Sequence, residues 1–427
     1  MRYRELRGPI SVQLEITEVC NLDCLHCYNH WRDKTKPICA SRLDQTKLNA
    51  IIDALVESGV TAVTLTGGEP LLFWKVLPEA IQRLTSLNIS VGLNSNLTLL
   101  DGEIAQALSQ AGLRQVLASV ICSREEIHDS ITGIKGSWQR TINGIRKAQE
   151  FGFNVSSNMV LMKSNHEYLR ETAILMKNLG VSLFCATKAS PALNSRDFES
   201  QILTKDELRI TLAELVQIKR EINIEVDVLE CYPLCLIGDT SKYSFFARRS
   251  CTAGVTTCTI SPTGDIRPCS HADMVYGNLF RESFVNIWKK MSDWREAKYV
   301  PDECGACKFL QQCSGGCRME AKYHGDIKGK DPFMSRPEDV ITSNSCEKRI
   351  NSPLLPEKMR INPSVKIRVE DFGSTVSVCG TAVLINEDAT QILVRLLKEK
   401  DFSTVFVADQ FGMRIGDAEL FLQKLLK

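Results

Sequence analysis

Residues 10–30 read ISVQLEITEVCNLDCLHCYNH. The first eight residues read as a strand. Cys20, Cys24 and Cys27 follow it within eight residues. Strands and amphipathic stretches then alternate. LDQTKLNAIIDALVESG predicts a helix that stops at a glycine. VTAVTLT, ISVGLNS, QVLASVI, FNVSSNMVL, VSLFCAT and NIEVDVL predict strands. VLPEAIQRLTSL, GEIAQALSQAG and stretches near 137–151, 166–179 and 205–222 predict helices between them. Repeated strand–helix units imply a parallel sheet with helices outside. Six units predict an α/β partial (βα)6 barrel. Ligands in such sheets gather at the carboxyl ends of the strands, where the three cysteines fall.

The remainder of the chain differs. Residues 251–350 are rich in Cys and Gly, with short strands around TTCTISPTGDIRPCS and a helix near 281–291. NSPLLPEKMRINPS carries three prolines and reads as a linker. Residues 364–427 return to compact patterning, with strands in SVKIRVED, STVSV and TAVLIN and helices in EDATQILVRLLKEK, FSTVFVADQFG and DAELFLQKLL. The expected domains are 1–235, 236–350 and 364–427, with 351–363 as linker.

Composition excludes several classes. A chain of 427 residues with 44% hydrophobic content predicts two or three domains with large cores. No secretory signal and no stretch near ~20 apolar residues is readable, so a cytoplasmic protein without a membrane span is expected. Against 52 basic residues stand 51 acidic ones, which argues against a module built to hold nucleic acid. In such a chain 17 cysteines read as metal ligands before disulfides.

Spacings of x3 and x2 are too close for a useful disulfide framework, and three thiols are one short of a closed tetrahedral site. Three thiolates on one loop can ligate three irons of a four-iron cluster, leaving the fourth for an exogenous ligand. A zinc site completed by a distant Cys or His is the alternative that spacing leaves open. Together with His26 before the last cysteine, this loop resembles the cluster motif of the radical S-adenosylmethionine (SAM) enzymes, and TLTGGEP at 64–70 resembles that family's second-strand motif. The resemblance implies a [4Fe-4S] cluster on Cys20, Cys24 and Cys27 and SAM chelated at its open iron. One-electron cleavage then gives a 5′-deoxyadenosyl radical that abstracts hydrogen. It also implies that Gly67, Gly68, Glu69 and Pro70 form a turn against the cofactor, where glycine permits close backbone approach. Asn94 and Asn96 in LNSN, with Ser95 beside them, are further candidate contacts or plain turn residues. Ser119 and Asn158 lie on later strands with similar claims. Asp129 matches a position often acidic in the family, and a helix cap is its alternative.

Downstream come Cys251, Gly264-x4-Cys269, Cys304-x2-Cys307-x5-Cys313-x3-Cys317 and Cys346, with Cys258 as an eighth thiol. This ladder is similar to the SPASM extension of peptide-modifying radical enzymes. The resemblance implies two more [4Fe-4S] clusters, three in all. Cys251, Cys258, Cys269 and Cys317 would hold the nearer one, and Cys304, Cys307, Cys313 and Cys346 the farther. A pair of zinc sites is the alternative. Ser270 and His271 follow Cys269, where sulfatase-maturing relatives carry an aspartate base, so formylglycine formation is not expected. His271 is either a base or structural. Cys122, Cys185 and Cys379 sit in apolar contexts and read as core. Cys39 is isolated. Cys231 and Cys235, in LECYPLCLIG, lie in a bridge between domains, and facing the active site is the alternative.

Residues 364–427 resemble the peptide chaperone of pyrroloquinoline quinone biosynthesis, a winged-helix-like module that reads leader peptides. That resemblance implies a leader strand added to an exposed edge within VKIRVEDFGSTVSV. A generic winged helix that packs on the barrel or binds DNA is the alternative. The expected activity is hydrogen abstraction from a ribosomally made precursor peptide, forming a thioether or C–C crosslink. An electron donor such as flavodoxin or ferredoxin would supply the electron. A radical enzyme acting on a small molecule or porphyrin side chain, and a non-catalytic iron–sulfur protein, are the other readings.

Overall fold

The structure, a computed structural model, describes residues 3–29, 31, 42–191, 196–336, 340, 355–378 and 380–425. Cys39, Cys346 and Cys379 lie outside the described residues. The chain divides into two compact units, 1–343 and 344–427.

In the first unit, strands β1 (Ser11–Glu15), β2 (Ala62–Thr66), β3 (Ser90–Ser95), β4 (Gln115–Ser119), β5 (Asn154–Leu161), β6 (Leu183–Lys188) and β7 (Glu225–Asp227) pair in sequence order, all parallel. Helices α1 (Gln45–Glu57), α2 (Leu77–Ser86), α3 (Gly102–Gln110), α4 (Glu125–Thr132), α5 (Ser137–Glu150), α6 (Leu169–Asn178) and α7 (Lys205–Ile222) make the crossovers. Six strand–helix units thus appear as expected, closed by a seventh strand. The fourth crossover uses two helices, one of them unforeseen.

Local chemistry sets these elements. α1 starts where the Asp44 carboxylate accepts from Lys47 N at 2.8 Å, and it buries Leu48, Ile51, Ile52 and Leu55. α7 opens on a Thr204–Glu207 capping box and stops at Asn223 in the left-handed region. Val12, Leu14, Val63, Leu65, Val91, Leu93, Val116 and Ala118 are buried from the strands, in one core with the helices.

The cysteine-rich region continues the same sheet. β8 (Thr257–Ile260) pairs parallel with β1, and β9 (Asp265–Arg267) and β10 (Gly277–Asn278) follow antiparallel, giving ten strands. Short helices carry the rest: α8 (Leu234–Ile237), α9 (Ser244–Ala247), α10 (Phe284–Lys290), α11 (Ser292–Arg295), α12 (Leu310–Cys313) and α13 (Arg318–Tyr323). Among the described residues, no helix is long and apolar enough to cross a membrane.

The second unit is an antiparallel sheet of β11 (Lys366–Glu370), β12 (Gly373–Val378) and β13 (Thr381–Asn386), with β12 central. Helices α14 (Glu387–Leu396), α15 (Thr404–Phe411) and α16 (Ile415–Leu425) follow. Its core holds Met359, Ile392, Leu396, Phe402, Val407 and Leu422. Met359 and Phe402 exchange backbone bonds of 2.8 and 2.9 Å, and Leu355 and Ile361 pack on the same core. Residues from 355 onward therefore belong to this unit, although the prolines around them read as a linker. A short apolar set spaced between prolines gives no periodic signal.

Candidate active site

The loop carrying Cys20, Cys24 and Cys27 is pinned on two sides. Asp23 N and Leu25 N donate to Thr132 O and Ile131 O at the end of α4, at 2.9 and 2.8 Å. Gly68 N and Glu69 N, from the turn after β2, donate to Thr17 O and Val19 O at 2.7 and 2.8 Å. A Cβ on Gly68 would lie 2.0 Å from Val19 O. Gly67 holds φ +128°, and a Cβ there would lie 2.5 Å from Thr17 O. The glycines thus seat one turn against the cysteine loop itself.

Glu69 is buried and ties that turn to β3. Its Oε1 accepts from Ser95 Oγ (2.7 Å) and Leu71 N (3.0 Å), and its Oε2 from Asn96 N (2.9 Å). Burial outweighs these donors and pushes its pKa up to about 7. Asn96 is engaged as a turn residue. Its Oδ1 accepts from Thr98 N, and its Nδ2 donates to Asn21 Oδ1 in the cysteine loop, each at 2.9 Å. Pro70 begins the 3-10 turn Pro70–Val76. Asp129 accepts from Trp138 N and Ser137 Oγ, both at 2.8 Å, and from Gly136 N, so it caps the start of α5.

A cavity of about 460 Å³ opens over the carboxyl ends of the strands. Cys20, Cys24, His26 and Cys27 line it, as do Gly67, Gly68 and Glu69. Asn94, Asn96, Ser119 and Asn158 line it from the later strands. Pro70 is not in its wall. Cys231, Cys251, Cys258, Cys269 and Cys317 also line it.

The downstream thiols sort into two sets. Cys231, Cys251, Cys269 and Cys317 line the main cavity, and the neighbouring Cys231 thiol holds Cys251 down at about 7. Cys269 lies close enough to Cys251 and Cys317 to feel their charge, though burial is the main cause of its raised pKa. A separate small void is lined by Cys235, Cys304, Cys307 and Cys313. Cys258 lines the main cavity with the first set. It sits in β8 opposite Val12, 1% exposed, and burial alone raises its pKa. Among the described residues, no three His, Cys, Asp or Glu side chains close on a single-ion point. Several thiols grouped about one space are the donor set that a four-iron cluster takes.

Family models place these features. Residues 14–176 match the radical SAM superfamily, and 251–308 match SPASM, an iron–sulfur cluster-binding domain. The chain carries a radical SAM domain followed by a SPASM domain. An AdoMet-dependent heme synthase of Oleidesulfovibrio alaskensis is 26% identical over 340 residues, 75% of this chain and 86% of that protein. Mycofactocin maturase MftC of Mycobacterium tuberculosis is 28% identical over 341 residues, 77% of this chain and 83% of that protein. The fold matches Streptococcus suis SuiB bound to the precursor peptide SuiA, with TM-score 0.63 at 17% identity over 76% of this chain and 75% of that one.

Two buried charge groups in these domains escaped the sequence reading. Glu15, ending β1, pairs with Arg267, ending β9, and both are at most 2% exposed. Arg267 Nη1 also donates to Ser270 O and Ala272 O, at 3.1 and 2.8 Å. It thereby shapes the SPASM turn that carries Cys269 and His271. The second group is Lys188, whose Nζ meets Glu320 Oε2 at 2.9 Å, Ser190 Oγ at 3.0 Å and Glu230 Oε2 at 3.2 Å. Burial works against its charge, and the two carboxylates overcome that and raise its pKa. His271 stacks on Tyr28 with ring centroids 4.0 Å apart and lies 3.8 Å from Glu230 Oε1. Burial lowers the His271 pKa and pushes Tyr28 up to about 12. Ion pairs between residues more than 100 positions apart leave no mark in a single sequence.

Proposed function

We propose that this chain is a radical SAM/SPASM maturase that abstracts hydrogen from a ribosomally made precursor peptide and closes a thioether or C–C crosslink. The observation that carries the reading is the shared cavity. Its lining includes both the three-cysteine loop with the Gly67–Glu69 turn and a set of downstream cysteines. A [4Fe-4S] cluster on Cys20, Cys24 and Cys27, with SAM at its open iron, would supply one-electron cleavage and a 5′-deoxyadenosyl radical. The protein's part is to position and shield. Gly67 and Gly68 bring backbone close. Asn94, whose amide has no side-chain partner among the described residues, is a better candidate for a SAM contact than Asn96, which is spent on the turn. His26, Ser119 and Asn158 are retained as candidates. An electron donor such as flavodoxin or ferredoxin and a reducing cytoplasm suit this cofactor set.

Support for a peptide substrate comes from the second unit, read here as the leader-binding module. β12 is paired on both sides, so a leader strand would add to β11 or β13. Val369 on β11 and Val383 and Leu384 on β13 are exposed apolar residues at those edges. An exposed apolar edge is normally covered or blunted. A porphyrin side chain is the second reading, favoured by heme synthases as similar to this chain as the maturase is. The test is anaerobic turnover with SAM, a reductant and peptides encoded beside the gene, read by 5′-deoxyadenosine and peptide mass. Modification of a porphyrin with no change in any peptide would select the second reading.

A further inference from the structure

We infer that Lys188 is a positioning residue: its charge, held between Glu230 and Glu320, sets the electron affinity of the iron–sulfur site at Cys317. The inference rests on the cluster reading above and goes beyond it. Lys188, Glu230, Glu320 and Asp331 all lie outside the two segments that match family models.

Geometry carries it. Lys188 ends β6 and lines the main cavity, as Cys317 does. Its side chain is 1% exposed. An ammonium has three donors, and Glu320 Oε2, Ser190 Oγ and Glu230 Oε2 take them at 2.9, 3.0 and 3.2 Å. Lys188 N donates to the buried Tyr232 hydroxyl at 3.1 Å, so the residue is held at both ends.

The charge is joined to the thiol by two routes. Cys317 caps α13, and Glu320 stands in the first turn of that helix. Asp331 Oδ2 accepts from Cys317 N at 2.8 Å, and a Cβ on Gly316 would lie 2.6 Å from that oxygen. Asp331 Oδ1 accepts from Phe333 N at 2.9 Å, and the Phe333 ring centroid lies 5.2 Å from Lys188 Nζ.

A buried pair that serves the fold alone needs one carboxylate for each ammonium. Here one ammonium answers two carboxylates. Burial opposes its charge, and Glu230, Glu320, Cys317 and Asp331, in that order, support it. Glu320 Oε1 is buried without a hydrogen-bond partner, so Glu320 depends on Lys188 for its charge. In a water-poor interior such charges are weakly screened. The net charge around an iron–sulfur site sets its potential, and a cation favours the reduced form.

The test uses the full chain with Cys20, Cys24 and Cys27 changed to Ala, so that the downstream signals are read alone. Redox titrations followed by EPR compare Lys188→Met, Lys188→Arg and Glu320→Gln in this parent. Lys188→Met should lower one midpoint potential, because the carboxylates lose their counter-charge. Glu320→Gln should raise the same potential, because Lys188 then answers Glu230 alone. Lys188→Arg keeps the charge and should stay with the parent. Lys188→Met and Glu320→Gln weaken the same buried pair, so a purely structural role would move both potentials alike or neither. Iron content is read on the same samples. If Lys188→Met fails to hold iron, Glu320→Gln decides alone, because its amide keeps the shape and an acceptor for Lys188. Shifts of the same sign in the two variants, or an unchanged potential in Glu320→Gln with iron retained, overturn the inference and leave the cluster reading standing. A parent without iron at the downstream thiols overturns both.

Discussion

Glu69 and His128 place opposite demands on the proton. Glu69 is buried, with a pKa of about 7 against an ordinary 4.5. Between those values the folded chain binds more protons than the unfolded chain, so stability falls as pH rises through the window. The shift corresponds to roughly 3 kcal/mol at most. His128 is buried in α4, its Nδ1 accepts from Ile121 N at 3.3 Å, and burial lowers its pKa to about 4 from 6.5. There the unfolded chain binds more protons, so stability is lost as pH falls from 6.5 toward 4. Between 4.5 and 6.5 the two slopes oppose. Glu69→Gln should therefore leave stability rising with pH across that range. His128→Asn, which keeps an acceptor near Ile121 N, should leave it falling. Urea midpoints from pH 4.5 to 7 decide this, and parallel profiles for the two variants would refute it. Glu69 was legible as a turn residue because its motif is local. The place of the scattered thiols was not. Cys231 lies outside the ladder by spacing, and only the fold brings it to the cavity that Cys251, Cys258, Cys269 and Cys317 also line.

At the scale of elements, the turn after β2 and the loop after β1 behave as one piece. The motif reading gave the glycines to the cofactor. The structure adds a nearer reason, because Gly68 must pass Val19 O with no room for a side chain. Gly68→Ala should displace residues 18–20 and cost the cluster they help hold. Iron should fall from about twelve to about eight per chain, with auxiliary signals kept and 5′-deoxyadenosine lost. A variant that retains all its iron and loses only SAM affinity would return the glycine to the cofactor. The order of β1 to β7 was readable because parallel strands buried on both faces form apolar runs between helical periods. That β8 would join β1 was not readable. TTCTI is a short Thr-rich strand in a cysteine-rich stretch, and the edge it covers belongs to a strand more than 240 residues earlier. Arg267 sits at this junction. Arg267→Met should expose the buried Glu15 charge to an apolar surrounding and free the 268–272 turn. A loss of about 3 kcal/mol or more is expected, because breaking a buried pair strands the remaining charge. The same double change with Glu15→Gln should recover part of it, as thermal unfolding would show. No recovery would mean that Arg267 acts through the Ser270 and Ala272 carbonyls alone.

At the scale of the molecule, the division between residues 343 and 344 separates chemistry from the proposed reading of the substrate. All three motif cysteines and the described auxiliary thiols lie before it. The second unit has its own core, from Met359 to Leu422. Deleting residues 351–427 also leaves Cys346 in the chain. The truncated enzyme should therefore cleave SAM reductively as the full chain does. A leader that adds a strand at β11 or β13 would gain main-chain hydrogen bonds while losing ordering entropy, so its affinity should be modest. Its benefit would be effective concentration, which raises turnover of a tethered core peptide by on the order of 10²-fold or more without tight binding at the active site. Full-length precursor should then lose most of its advantage over leader-free core in the truncated enzyme, while both enzymes process leader-free core at the same slow rate. Turnover of full-length precursor is the decisive comparison, at matched enzyme and cluster content. If deletion leaves it undiminished, the second unit is not the leader reader, and the edges at Val369 and Val383 serve some other contact.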